Sequence, residues 1–378
     1  MLVALTEEEE LFQLTPSIAE TTLRQLRQTA LFYCPQCKER LLLKIGKIKV
    51  PHFAHLKNSA CESTFSEGES ITHLLGKQQF HTFFQHLKFN VVLEPYLTKL
   101  QQRPDLLVTT TQRSFAIEFQ CSRIAAEQFA ERTQGYVEHG IVPIWILQTP
   151  NAHFKQAGVV KISLNHFVQQ FIITQNKQRY LLTYDAHSEQ FFYVSNLLPV
   201  YGQQYFGFVQ ILPLCKQVFP FYIPSLLTEH VHTNMLSRYI QYKDRHVKAR
   251  LLLSRKGVND LLLRSIYELR LSREELPCFI GIPVRHSEAI PLFSVEWQIA
   301  LFYFMHCHSL TPQKLSEQAI PYFFKWAKMS YCVEAGEAVR HYIQLLKKLH
   351  IQHVHSVVAA PLLFRELYCE LVAFGCEN

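Results

Sequence analysis

The chain has 378 residues, is 48% hydrophobic and 18% charged, and carries a formal net charge of +7. That is enough apolar material for a sizeable core and enough length for two or three domains, which excludes a disordered or low-complexity chain. The opening Leu2-Val3-Ala4-Leu5 is too short for a secretory core and runs into four glutamates, no stretch is apolar enough to span a bilayer, and ten cysteines without a secretory segment read as reduced thiols in a cytoplasmic protein.

In chain order, a helix is predicted after Thr15-Pro16, reaching about Arg27. Cys34 and Cys37 then form a Cys-x2-Cys knuckle, residues 41–50 alternate around Gly46 as a short hairpin, and His52, His55 and Cys61 follow. A knuckle, a hairpin and then His and Cys ligands close a tetrahedral zinc site. Five candidates compete for four places: Cys34, Cys37 and Cys61 with either His52 or His55. A redox pair or unrelated core thiols is the competing reading, disfavoured because the strand-to-helix context of a thioredoxin-like motif is missing. A closed four-ligand site is structural, and its task is to hold a zinc-finger-like module too thin to make its own core. Cys121, Cys215, Cys278, Cys307, Cys332, Cys369 and Cys376 show no ligand spacing.

Residues 69–87 carry apolar side chains at helical period, with Glu69, His73 and Lys77 at i, i+4 and i+8 on the polar side. Residues 90–93 predict a short strand ending at Glu94-Pro95. Asp105 opens an apolar run, residues 109–113 read as a turn, and residues 114–120 return as a strand. Across that hairpin Asp105 faces the segment from Glu118 to Gln120. Alternation puts Glu118 and Gln120 on one face and Phe119 on the other. Two converging carboxylates could hold a hard divalent cation, Mg²⁺ or Mn²⁺, of the kind phosphodiester hydrolysis uses. The competing reading is a solvated hairpin. Glu118 weighs against it, because a carboxylate inside an apolar strand needs a partner. A helix over residues 123–139, stopped by Gly140, and a buried strand over 142–147 complete the order αβββαβ, with a parallel, right-handed crossover.

That order, with Pro104-Asp105 before one strand and Glu118-Phe119-Gln120 on the next, resembles the PD-(D/E)XK (restriction-endonuclease-like) nuclease superfamily. The closer resemblance is to the competence protein CoiA family. It is carried by Cys34-Pro35-Gln36-Cys37, His52-Phe53-Ala54-His55, Glu69-x3-His73-x3-Lys77, Arg103-Pro104-Asp105, Ile117 to Ser122, Arg132-x3-Tyr136 and Trp145-Ile146-Leu147, all within residues 1–150. The resemblance implies a protein of bacterial transformation that acts on incoming single- or double-stranded DNA around RecA-type recombination or the DNA-uptake machinery. It implies Asp105 and Glu118 as metal ligands and Gln120 as the residue orienting water. Glu69 or His73 could contact the metal through water or the phosphate. Gln120 departs from the usual Lys, because it can only hydrogen-bond the water that Lys polarises. An inactive DNA-binding adaptor that keeps the nuclease fold is therefore the alternative, and a protein-interaction scaffold is a third reading.

Of the 38 Lys and Arg and 31 Asp and Glu, fifteen of each lie in residues 1–150, so the whole positive excess lies beyond. Its densest piece is Lys243, Arg245, Lys248, Arg250, Arg255 and Lys256. Basic residues this close supply phosphate contacts, so Lys248, Arg250 and Arg255, with Lys77, are the candidate DNA contacts. A solvated helix face is the alternative for each of them. Residues 179–184 and 190–194 read as a hairpin, residues 205–212 as a further strand, and apolar residues recur at helical spacing from about Ile223 onward. The predicted division is a zinc-type module over 1–65, a nuclease-like α/β domain over 66–150, and a mostly helical part over 151–378.

Overall fold

The computed structural model describes residues 1–46, 50–56, 61, 69–150, 152–175, 178–272 and 276–371. The part of the predicted hairpin at 47–49, and Cys376, lie outside the described residues.

The N-terminal module comprises β1 (Val3–Leu5), β2 (Leu11–Gln13), α1 (Glu20–Thr29), β3 (Phe32–Tyr33), β4 (Arg40–Lys44) and β5 (His52–His55), in the sheet order β2-β1-β3-β4-β5. Leu41 and Leu43 of β4 are buried while Arg40, Leu42 and Lys44 face outward, the alternation of a half-buried strand. The register from Leu41↔His55 to Lys44↔His52 carries the hairpin past the predicted end to His55. The module's buried Leu2, Val3, Phe32, Leu43 and Phe53 do not close on themselves. They share one apolar cluster with Leu74, Phe80 and Phe84 of α2 (Ile71–His86) and with Leu106, Ile117 and Phe119 of the second sheet.

After α2 come β6 (Asn90–Leu93), β7 (Leu106–Thr109), β8 (Ser114–Gln120), α3 (Ala126–Glu138) and β9 (Ile141–Gln148). β6, β7 and β8 pair antiparallel, and α3 crosses over to set β9 parallel to β8, from Ser114↔Ile141 to Gln120↔Leu147. The chain continues through β10 (Gly158–Ser163), α4 (His166–Gln169), β11 (Ile172–Gln175), β12 (Gln178–Asp185), β13 (Gln190–Tyr201) and β14 (Gln204–Pro213). These strands extend the same sheet, ordered β10-β14-β13-β12-β9-β8-β7-β6 with β11 on β12. The predicted boundary at residue 150 would therefore cut between β9 and β12, which pair in parallel through Thr183↔Leu147 and Tyr184↔Gln148. A strand buried on both faces cannot leave that edge unpaired. Ile146, Leu182, Tyr184 and Tyr193 line the α2 face of the sheet, and Trp145, Leu147, Leu181, Phe192 and Val194 the other.

The mixed α/β sheet is followed by a helical region: α5 (Glu229–Leu253), α6 (Leu261–Glu268), α7 (Ser294–Cys307), α8 (Ala319–Trp326), α9 (Val333–Lys348) and α10 (Ala360–Leu371). Trp297, Leu301, Phe304, Val339, Ile343 and Leu346, singled out by their spacing, are buried in its core. α7 is buried all round from Ser294 to Met305, so its sequence shows no polar face. No helix among the described residues is long and apolar enough to cross a membrane.

Candidate metal centres of the nuclease-like region

The knuckle is shaped by its main chain. Cys34 N–H donates to Glu39 O at 2.8 Å and Lys38 N–H to Cys34 O at 3.0 Å, and Lys38 takes a left-handed φ of 61° to close the turn. Cys34, Cys37, His55 and Cys61 offer ligand atoms that all lie within 4.8 Å of one another. Cys37 Sγ is 3.4 Å from His55 Nε2, whereas His52 Nδ1 lies 2.9 Å from Val50 O. The open choice between the two histidines therefore goes to His55. They sit three apart on β5, so their side chains leave opposite faces and only one can meet the knuckle. Three thiols and an imidazole suit a tetrahedral site, in which sulfurs at metal–thiolate bond lengths sit about 3.8 Å apart. Burial, partly offset by the Glu39 main chain, pushes the Cys37 thiol up to about 12, so a metal binding here must displace protons.

The second cluster is assembled at the start of α2. Ser70 caps the helix by accepting from His73 N–H at 3.1 Å, which fixes Glu69 just before the first turn and His73 within it. His73 lies between two carboxylates, with Nε2 3.0 Å from Asp105 Oδ2 and Nδ1 3.6 Å from Glu69 Oε1. Asp105 Oδ2 also accepts Phe119 N–H at 2.8 Å. The β7–β8 register begins at Leu106↔Ile117, so the carboxylate replaces the main-chain acceptor that a longer β7 would offer. Gly76 makes this approach possible: a Cβ there would sit 2.3 Å from Phe119 Cε1, so only a glycine lets α2 lie directly on the ring. Glu69, His73 and Asp105 offer ligand atoms all within 4.8 Å of one another. Their side chains keep 13%, 20% and 13% exposure, so the cluster opens to solvent on one side.

Lys77 forms its floor. Predicted on the polar side of the helix as a DNA contact, it is instead 0% exposed. Its ammonium sits 2.5 Å from Glu69 Oε1 and 3.8 Å from Asp105 Oδ1, and pairs with Glu94. A phosphate backbone cannot reach it there. The Lys77 end of the i, i+4, i+8 stripe faces inward because it meets acids, not water. Burial alone would raise each acid's pKa. Lys77 and the Met1 ammonium outweigh burial at Glu69 and Glu94, as His73, Lys77 and the Phe119 N–H do at Asp105, so all three carboxyls lie below their usual range. The same acids outweigh burial at Lys77 and raise its pKa. Glu94 was missed as a site residue. Its signal was an acid set directly after the apolar strand β6.

Glu118 lies outside this group of three. As predicted, alternation separates it from Phe119, and it faces α3, where its carboxylate accepts from the Arg132 guanidinium and, at 2.5 Å, from Tyr136 O–H. Asp105 precedes β7, so strand alternation does not govern it, and its carboxylate turns to α2 instead. Burial pushes the Glu118 carboxyl up, Arg132 opposes, and the Asp105 charge adds to the rise, leaving it at about 7. Gln120 donates through Nε2 to Ser122 O at 2.9 Å. Arg132 and Tyr136 had no role assigned from sequence, although their i, i+4 spacing on α3 marks them as one pair.

The basic segment divides along α5. Arg250 donates to Glu296 Oε2 at 2.7 Å and to Asp260 Oδ2 at 2.8 Å, and Lys243 is buried against Ile280 O. Both fall on the helix's inner face with Val247. Arg250 is thus an internal tie and not the DNA contact predicted. Arg245, Lys248, Arg255 and Lys256 are exposed.

A mixed sheet with an acidic, helix-capped cluster at the end of one hairpin, joined to a Cys/His module, defines a nuclease-like protein with an N-terminal metal-type domain. Residues 69–225 match the family described as Competence protein CoiA, nuclease-like domain, and residues 16–64 match Competence protein CoiA, N-terminal domain. The chain is 30% identical over 276 residues to the Competence protein CoiA of Bacillus subtilis (strain 168), covering 72% of this chain and 72% of that relative. The chain belongs to the competence protein CoiA family. No solved structure matches it.

Proposed function

We propose that this chain is a divalent-metal deoxyribonuclease of DNA transformation, with a PD-(D/E)XK-type core and a structural zinc ion in the N-terminal module. The observation that carries the reading is the Glu69, His73 and Asp105 cluster, with ligand atoms within 4.8 Å of one another beside a buried ammonium. The donor set fits Mg²⁺ or Mn²⁺, and one imidazole among the carboxylates favours the transition ion. A bound ion would polarise the scissile phosphoryl oxygen and make a water nucleophilic at neutral pH. Glu69 and Asp105, both ionised, hold the ligand oxygens in place. Lys77 supplies beside Asp105 the fixed positive charge that Gln120 cannot. Glu118, buried and near neutrality, holds or releases a proton on the far side of Asp105. The Cys34, Cys37, His55 and Cys61 set suits zinc, whose four-ligand sites are structural.

Asp105→Ala and Glu69→Ala should each abolish Mn²⁺-dependent cleavage of single- and double-stranded DNA while DNA binding stays near wild type. Equal cleavage by wild type and both variants would end this reading. The turn of Gln120 toward Ser122 favours a second one, a DNA-binding adaptor that keeps the nuclease fold without cleaving. Salt-sensitive binding with no cleavage in any divalent metal would select it.

A further inference from the structure

The module and the acidic cluster are joined by a short path through the main chain. His55, a member of the Cys/His cluster, ends β5. Two residues back on that strand, Phe53 N–H donates to Met1 O at 2.9 Å, and the Met1 nitrogen donates to Phe53 O at 3.2 Å. The next amide, Leu2 N–H, is shared by both oxygens of Glu94 at 3.1 and 3.0 Å, and the Met1 nitrogen lies 2.8 Å from Glu69 Oε2. The Met1 thioether takes Arg103, two residues before Asp105, at 3.0 Å. The module thus touches Glu69, Glu94 and the approach to Asp105, and Glu94 in turn holds Lys77.

Three features would make this path sensitive to a metal held by the module. β3 is two residues long and β1 three, too short to persist alone. Their apolar side chains pack on α2 and have no separate core. A metal held by Cys34, Cys37, His55 and Cys61 would tie the end of β3 to the end of β5, two residues from where Phe53 meets Met1.

We infer that the N-terminal module completes the acidic site, so that the metal in the Cys34–Cys37–His55–Cys61 cluster sets the divalent-ion affinity of Glu69, His73 and Asp105, with Leu2 and Phe53 as positioning residues. This rests on the reading of that cluster as an ion site.

The test is a Mn²⁺ titration of the full chain, following free Mn²⁺ by its paramagnetic resonance signal. The chain is taken with zinc bound, after zinc is stripped and the chelator dialysed away, and after one equivalent of Zn²⁺ is returned. Stripping should weaken Mn²⁺ binding at least tenfold, and returned Zn²⁺ should restore it. His55→Cys, which keeps four zinc ligands, should bind Mn²⁺ as wild type does. Leu2→Pro, which removes the N–H that Glu94 accepts, should retain its zinc and still bind Mn²⁺ more weakly. If that variant holds no zinc, the stripped and reloaded wild type decides. A chain that takes up no zinc, or equal Mn²⁺ affinity with and without it, overturns the coupling. Mn²⁺ affinity that Asp105→Ala leaves unchanged overturns the acidic site itself, and the coupling with it.

Discussion

In both ligand clusters the atoms lie within 4.8 Å of one another, yet the two balance charge in opposite ways. Cys34, Cys37 and Cys61 are thiols that gain negative charge only when a metal displaces their protons, and His55 adds a neutral imidazole. Glu69, Asp105 and neighbouring Glu94 are already ionised, and Lys77 lies among them as a built-in cation. A metal bound by the first would itself supply the charge balance, as a structural ion does. The second has its counter-charge in Lys77 without an ion, so that an ion there could exchange.

The largest expected effect tests the first half of this contrast. Structural zinc contributes apparent binding energies of about 10 kcal/mol or more, comparable to the whole stability of a domain. Cys34→Ser with Cys37→Ser should therefore unfold the module and sharply lower the melting temperature, as should prolonged chelation. The same chelation should barely move the melting temperature through the acidic cluster. A melting curve indifferent to both treatments would erase the distinction.

Next in size is Lys77→Met. It leaves the buried Glu94 without its ammonium partner and takes one of the cations from the partly exposed Glu69 and Asp105, and breaking a buried pair in this way costs about 3–5 kcal/mol. The pH dependence fixes the sign. In the native protein the Glu69, Glu94 and Asp105 carboxyls lie below their usual range, so their contribution is present above the unfolded carboxylate pKa values and is lost as pH falls through the folded ones. In the variant the same acids would take up protons readily. The gap between the two proteins should be widest near pH 7.5 and narrow toward pH 4.5 in urea unfolding. A gap that grows on acidification would mean that Lys77 does not neutralise these acids.

The same contrast explains what could be read in the sequence. The candidate ligands lie within residues 34–61, so spacing alone narrowed them to five for four places, and strand alternation explains why the cluster gathers His55 and not His52. Glu69 and His73 were legible as one helical stripe, but that stripe's inward turn was not, because it depends on Gly76 seating Phe119 and on the acids that surround Lys77. The pairing of Asp105 with α2 was hidden for a similar reason: alternation reasoning applies inside strands, and Asp105 stands one residue before β7. The sheet's continuation through β10–β14 was missed because short strands read locally carry no sign of which edge they join. The hairpin of β12 and β13 and the strand β14 were placed and β10 and β11 were not, and the parallel pairing of β12 on β9 is a contact between distant segments.

The smallest expected effect separates charge spent inside the molecule from charge offered outside it, on the one helix that carries both. Arg250 and Lys248 are two residues apart, yet Arg250 ties Asp260 and Glu296 while Lys248 faces solvent. Arg250→Ala should lower stability by about 1–3 kcal/mol, because two largely buried carboxylates lose a charge-assisted partner. It should leave DNA affinity unchanged once the folded fraction is accounted for. Lys248→Glu with Arg255→Glu should do the reverse, with stability within about 0.5 kcal/mol of wild type, as for surface changes elsewhere. If both side chains meet phosphates, the slope of log affinity against log salt should fall by about 2, since each phosphate neutralised contributes close to one unit. Filter binding at four salt concentrations reads that slope directly. An unchanged slope in the double variant would assign the positive excess of the helical region to solvation and leave the DNA grip to the nuclease-like sheet.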